Sequence, residues 1–121
     1  MKKIILDLDN TITIHNPDHA YQDMKPNLEV ISSIKKYKSL GYKITIFTAR
    51  NMRTYKNDIQ KIKKFTLPKI TEWLEKYNVP YDDIIVVKVW CDQGFYVDDK
   101  AIRPSEFVNL SEDEILKIIN E

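Results

Sequence analysis

The stretch that decides the fold is Lys3-Ile4-Ile5-Leu6-Asp7-Leu8-Asp9-Asn10-Thr11. An apolar run, Ile4-Ile5-Leu6, leads straight into two carboxylates. Apolar residues on both faces suit a strand of parallel sheet covered by helices on each side. In an extended chain positions i and i+2 point the same way, so Asp7 and Asp9 can face one site. Asn10 tolerates the left-handed region and Thr11 can cap a turn, so the chain is expected to leave the strand sharply. Acids at the carboxyl end of such a strand sit where open α/β sheets bind ligands. Acids also end strands at a surface with no chemical role.

Working outward, residues 12–25 hold no sustained period and predict a loop or small flap over the strand end. Leu28, Ile31, Ile34 and Tyr37 recur at helical spacing, with Pro26 suited to the first turn and Gly41 to the stop. Residues 42–47 are β-branched and aromatic, a second strand ending at Thr48. Residues 49–66 are polar and basic, with Ile59, Ile62 and Phe65 as a thin stripe, and predict a loop with a solvent-facing helix. Pro68 opens a further helix with Ile70, Trp73, Leu74 and Tyr77 on one face. Residues 84–87 read as a third strand and 95–97 as a short fourth. Ser111-Glu-Asp-Glu114 is a capping box before Ile115, Leu116, Ile118 and Ile119. Strands alternating with helices predict an α/β fold with a mainly parallel central sheet and right-handed crossovers. The 121 residues are one domain's worth of chain.

The Asp7-x-Asp9-x-Thr11 pattern after an apolar strand resembles the first motif of the haloacid dehalogenase-like (HAD) phosphohydrolase superfamily. Thr48, Lys88 and the pair Asp98-Asp99 follow in the order and spacing of its second, third and fourth motifs. Thr48-Ala-Arg-Asn-Met-Arg-Thr-Tyr55, Val79-Pro80-Tyr81-Asp82 and Gly94-Phe-Tyr-Val-Asp-Asp-Lys-Ala-Ile-Arg-Pro-Ser-Glu-Phe107 are similar to the small capsule-biosynthesis phosphatase group within it. The resemblance covers nearly the whole chain. It implies a Rossmann-like three-layer sandwich, HAD-like, with the first strand central and no room for a cap domain, and a single phosphatase domain over 1–121.

The resemblance also implies the chemistry. Asp7 would be the nucleophile that takes the phosphoryl group, and Asp9 the general acid and then base. Two neighbouring carboxylates disfavour joint ionisation, which would help Asp9 keep its proton. Mg²⁺ suits a few carboxylates, waters and a phosphate; Asp7, the Asp9 backbone carbonyl and Asp98 would hold it, with Asp99 in support. Thr48 would offer its hydroxyl and backbone N–H to a phosphoryl oxygen. Lys88 would neutralise the phosphate, although Val87 and Val89 flank it where the related group places Gly and Pro, and Lys69 is its rival. Arg50, His15 and His19 are candidates to contact the leaving group, beside the plain reading that each is a surface charge.

Composition narrows the partners. Basic and acidic residues number 19 and 18, for a net charge of +1, so no strong field favours nucleic acid or an anionic membrane. No apolar run approaches the length of a membrane span, and Asp7 and Asp9 interrupt the start before a signal peptide could form. A lone cysteine, Cys91, forms no internal disulfide. A cytoplasmic protein acting on a small phosphorylated metabolite is expected, of the sugar-phosphate or surface-polysaccharide precursor class, and a homo-oligomer is left open. The competing readings are a nucleic-acid 3′-phosphatase and a non-catalytic, receiver-like phosphate-binding module. A receiver wants its acceptor Asp on a middle strand, where this chain has Thr48-Ala49-Arg50.

Overall fold

In the computed structural model, which describes residues 2–120, the apolar run forms the first strand, β1, at Lys3–Leu6. The chain leaves it through Asn10, whose φ of 57° lies in the left-handed region. The Leu8 carbonyl accepts from the N–H groups of Thr11, Ile12 and Thr13 at 3.3, 2.9 and 3.1 Å. The segment read as a loop is a small antiparallel flap of β2 (Thr13–Ile14) and β3 (Lys25–Pro26), with a 3-10 turn at Tyr21–Asp23 between them. Ile12 and Met24 are buried beneath it.

The first helix, α1 (Leu28–Ser39), buries Val30, Ile31, Ile34 and Tyr37, the stripe that its periodicity predicts. Deleting a buried branched side chain such as Ile34 would cost roughly 2–5 kcal/mol. Asn27 caps the helix, its side chain accepting from the Val30 N–H at 3.2 Å. Pro26, expected in the first turn, therefore stays outside in β3; Asn27 satisfies an orphan donor, which Pro cannot do. At the other end Gly41 (φ 91°) permits a Schellman closure. The Tyr42 N–H reaches the Tyr37 carbonyl and the Gly41 N–H the Lys38 carbonyl, both at 3.1 Å.

The next strand, β4 (Lys43–Phe47), pairs in parallel with β1 and with β5 (Asp83–Ile85). The order β1-β4-β5 corrects the expected central place of the first strand. Within this sheet β4 is central, with Ile44, Thr45 and Ile46 buried, while Ile5 of β1 is 60% exposed.

Between β4 and β5 the helical stretch is longer than the sequence implies. Helix α2 (Ile59–Lys61), capped by Asp58, runs through a π turn at Ile62–Thr66 into α3 (Leu67–Lys76). Pro68 explains the π turn. It has no N–H for the Lys64 carbonyl and its ring crowds that position, so the ladder widens. The Leu67 N–H accordingly reaches back to Ile62. The apolar face of α3 buries Ile70, Trp73 and Leu74. The Trp73 indole N–H donates to the Met24 carbonyl at 2.9 Å, fastening the flap to this helix.

These elements form one packed unit, and a second begins at Cys91. The second carries α4 (Pro104–Asn109) and α5 (Glu112–Ile119). The predicted capping box is present: the Ser111 N–H donates to Glu114 Oε1 at 3.0 Å and the Glu114 N–H to Ser111 Oγ at 3.2 Å. The strand expected over 95–97 does not form. Only three residues separate Gly94 from a turn at Asp98–Lys100, and Phe95 and Val97 are exposed. Among the described residues no helix is long and apolar enough to cross a membrane.

Candidate active site

Parallel register brings the carboxyl ends of the three strands to one edge, since Leu6 pairs with Ile46 and Phe47 with Ile85. The ladder continues just past the strands. The Thr48 N–H donates to the Ile85 carbonyl at 2.9 Å, and the Lys88 N–H donates to the Thr48 carbonyl at 3.3 Å. Asp7, Thr48 and Lys88 thus come from three consecutive chain exits at one end of the sheet.

Lys88 Nζ stands 3.6 Å from Asp7 Oδ1. Burial pushes the Asp7 carboxyl above its usual value; the Lys88 charge and the Leu8 N–H oppose this, and the nearby Asp9 charge adds to it. Burial outweighs the attraction, so the ionised Asp7 sits in a site that would gain from further positive charge.

Asp9 is held differently. Arg50 grips it with two hydrogen bonds, Nη2 to Oδ1 at 2.7 Å and Nε to Oδ2 at 3.1 Å. The Arg50 side chain is only 2% exposed. Guanidinium offers donors alone, so both Asp9 oxygens accept, and a proton on Asp9 would have to displace one of these bonds. That overturns the expectation that the neighbouring Asp7 governs how Asp9 holds a proton; its immediate partner is Arg50. The Arg50 Cζ also lies 4.4 Å from the centre of the Tyr21 ring. Burial raises the Tyr21 phenol, with the Asp9 charge adding and Arg50 opposing.

Thr48 is buried. Its N–H, expected to face a phosphoryl group, is committed to Ile85. Its Oγ1 accepts the Arg50 N–H at 3.0 Å, which leaves the hydroxyl proton as the group able to donate. Beyond Arg50 the chain turns through Asn51, Lys56 and Asn57, all at positive φ. The Thr66 hydroxyl donates to Asn51 Oδ1 at 2.7 Å, so the π turn and the Arg50 loop are joined side chain to side chain.

A cleft of about 110 Å³ opens on the far side of Arg50 from Asp9, with Tyr21, Asn51, Tyr55, Thr66 and Lys69 in its walls. The Tyr55 and Phe65 rings lie against each other there, 6.1 Å apart. None of these wall residues except Lys69 attracts notice in the sequence, and Lys69 only as a rival to Lys88. Asn51 beside Arg50 was the available signal, as a residue type that accepts positive φ; Thr66 had none.

His15 and His19 are exposed on the flap and line no part of this cleft. The flap presents Tyr21 instead. Asp98 and Asp99 belong to the second unit, where Asp98 Oδ1 accepts the Lys100 N–H at 2.8 Å in a turn. Among the described residues no group of three or more His, Cys, Asp or Glu gathers as a metal cluster.

A crystal structure of a structural-genomics target from Vibrio cholerae is similar to this chain throughout. The two are 50% identical over 99% of this chain and 98% of the other, with a TM-score of 0.94. They belong to one family. No protein-family model and no curated protein matches the chain. The relative supports the α/β fold with its parallel sheet.

Proposed function

We propose that the protein is a Mg²⁺-dependent phosphatase that hydrolyses a small phosphomonoester through an aspartyl phosphate on Asp7. The observation that carries this reading is the pairing of Lys88 with Asp7 beside a second carboxylate, Asp9, at the carboxyl edge of a parallel sheet. The finer fold, a Rossmann-like three-layer sandwich of HAD type without a cap domain, belongs to the same proposal. So do a cytoplasmic location and a substrate of the sugar-phosphate or surface-polysaccharide precursor class.

The donor chemistry fits a hard cation. Mg²⁺ takes one or two carboxylates and fills its remaining positions with waters and phosphate oxygens. The raised Asp7 carboxyl is the kind of ligand that such a charge would relieve. Asp7, the Asp9 backbone carbonyl and Asp98 would hold it; the Asp9 carboxylate is occupied by Arg50 and is not counted. When bound, the ion would offset the repulsion between the carboxylates and the substrate phosphate.

The chain's own residues account for the rest. An Asp7 oxygen attacks phosphorus, the bond from phosphorus to the leaving oxygen breaks, and Asp9 supplies the proton that oxygen takes. A water then attacks the phosphoryl group, Asp9 receives its proton, and the Asp7 carboxylate and inorganic phosphate are regenerated. Lys88 and the Thr48 hydroxyl stabilise charge on the transferring phosphoryl oxygens. Arg50 aligns Asp9 and loosens one of its two bonds whenever Asp9 carries the proton.

The test is phosphate release from a panel of phosphorylated sugars and from an aryl phosphate, with Mg²⁺, with chelator, and with Asp7→Asn. Turnover that needs Mg²⁺ and disappears in Asp7→Asn is expected. Metal-independent release, or full activity in Asp7→Asn, would overturn the reading.

A further inference from the structure

The cleft behind Arg50 has a size and a charge that together specify what enters it. Its volume, about 110 Å³, is below the roughly 150 Å³ that just accommodates benzene in a protein cavity. A group of a few heavy atoms fits; a nucleoside does not. Two cations, Arg50 and Lys69, line it, and no carboxylate does. Arg50 is engaged with Asp9. Lys69 has no ion-pair partner among the described residues. Around it stand groups that serve hydroxyls, the Asn51 amide and the buried Thr66 hydroxyl, and the aromatic rings of Tyr21 and Tyr55. Because Arg50 touches Asp9 on one face and this cleft on the other, the cleft lies where a phosphate ester seated at Asp7 and Asp9 would extend.

We infer that this cleft is the leaving-group subsite and that it selects a small hydroxylated carboxylate, whose anionic end pairs with Lys69. The inference rests on the phosphatase reading for the word leaving group, and on the cleft alone for the ligand chemistry. A neutral alcohol would leave Lys69 without an anion. A bulky aromatic base would exceed the space.

Two matched pairs of esters test it: 6-phosphogluconate against sorbitol 6-phosphate, and 3-phosphoglycerate against glycerol 3-phosphate. Within each pair the members differ by a carboxylate in place of an alcohol. Both kcat/KM for phosphate release and equilibrium binding to Asp7→Asn are measured. The carboxylated member of at least one pair is expected to be favoured about fivefold, the scale of one ion pair at an exposed cation. Lys69→Met is expected to bring that preference to about one, while Lys69→Arg retains it. No preference in the natural protein, or a preference that survives Lys69→Met, would overturn the inference. Binding preference without any phosphate release would keep the subsite and remove the phosphatase reading. Equal hydrolysis of both members would do the reverse.

Discussion

Arg50 and Asp9, forty-one positions apart in the chain, are joined by two hydrogen bonds of 2.7 and 3.1 Å, with the arginine side chain almost wholly enclosed. The pair fixes the second carboxylate of the Asp-x-Asp motif at a set angle. It also makes Arg50 part of the site's frame, a role that a position two residues past a strand end does not reveal. Truncating it leaves Asp9 without its cation and Tyr21 without its stacking partner. Arg50→Ala is expected to lose roughly 1–3 kcal/mol of stability and to lower kcat on an aryl phosphate and on sugar phosphates alike. Thermal denaturation and kinetics on both substrate types check this. A change confined to KM for one natural substrate would return Arg50 to leaving-group recognition.

Asp7 is expected to trade stability for function. Its carboxyl is raised in the folded state, so the folded protein binds a proton that the unfolded chain releases. Stability linked to this group falls as pH rises from about the ordinary carboxylate value through the raised one. At neutral pH Asp7→Asn removes that cost while abolishing turnover. Melting temperature at pH 7 is therefore expected to hold or rise in this variant; a clear drop would mean that the Lys88 attraction outweighs burial.

Asp9→Asn separates the two half-reactions. With a nitrophenyl phosphate the leaving group needs little acid help, so Asp7 is still phosphorylated while activation of water fails. A rapid burst of nitrophenolate followed by turnover slowed about 10²-fold or more is expected. Rapid-mixing absorbance measures it, and equal loss of burst and steady state would remove the acid–base role.

The two candidate lysines differ in what they touch. Lys88 is 3.6 Å from Asp7, whereas Lys69 lines the cleft beyond Arg50. Lys88→Met is expected to reduce kcat about 10²–10³-fold with every substrate, the scale of one lost charge-stabilising donor. Lys69→Met is expected to act on KM. Steady-state kinetics that reversed this order would show the neutralising lysine to be Lys69.

Asp82 ties the sheet to α1. It accepts the Ile44 N–H at 2.7 Å and two bonds from Lys38 Nζ at 2.6 and 2.7 Å. The Ile44 N–H, then Lys38, hold its carboxyl below the usual 3.8. The sign is that of a depressed acid: the contribution is complete above the usual value and is lost as pH falls through the folded one. Acid titration of stability is expected to begin at higher pH in wild type than in Asp82→Asn, which lacks this titration. Coincident acid transitions would show that Asp82 carries none of it.

Local chemistry alone determined much of this protein. Period and caps located α1, the Gly41 stop and the Ser111 capping box, because each depends on residues within one or two turns. The apolar runs before Asp7 and Thr48 located β1 and β4, and with them the sheet edge where Asp7, Thr48 and Lys88 meet. Strand order was not local: which strand is central depends on pairing between distant segments, and β4 rather than β1 holds that place in this sheet. Nor was residues 95–97 as a strand decided by its side chains, since a strand needs a neighbouring ladder as well as a suitable sequence. The π turn came from Pro68 acting on a helix that sequence reading had cut in two. Only tertiary structure could pair Arg50 with Asp9, spend the Thr48 N–H on Ile85, and set Tyr21, Asn51 and Thr66 around one cleft. Each of those outcomes is a contact between segments far apart in sequence, and no spacing rule encodes it.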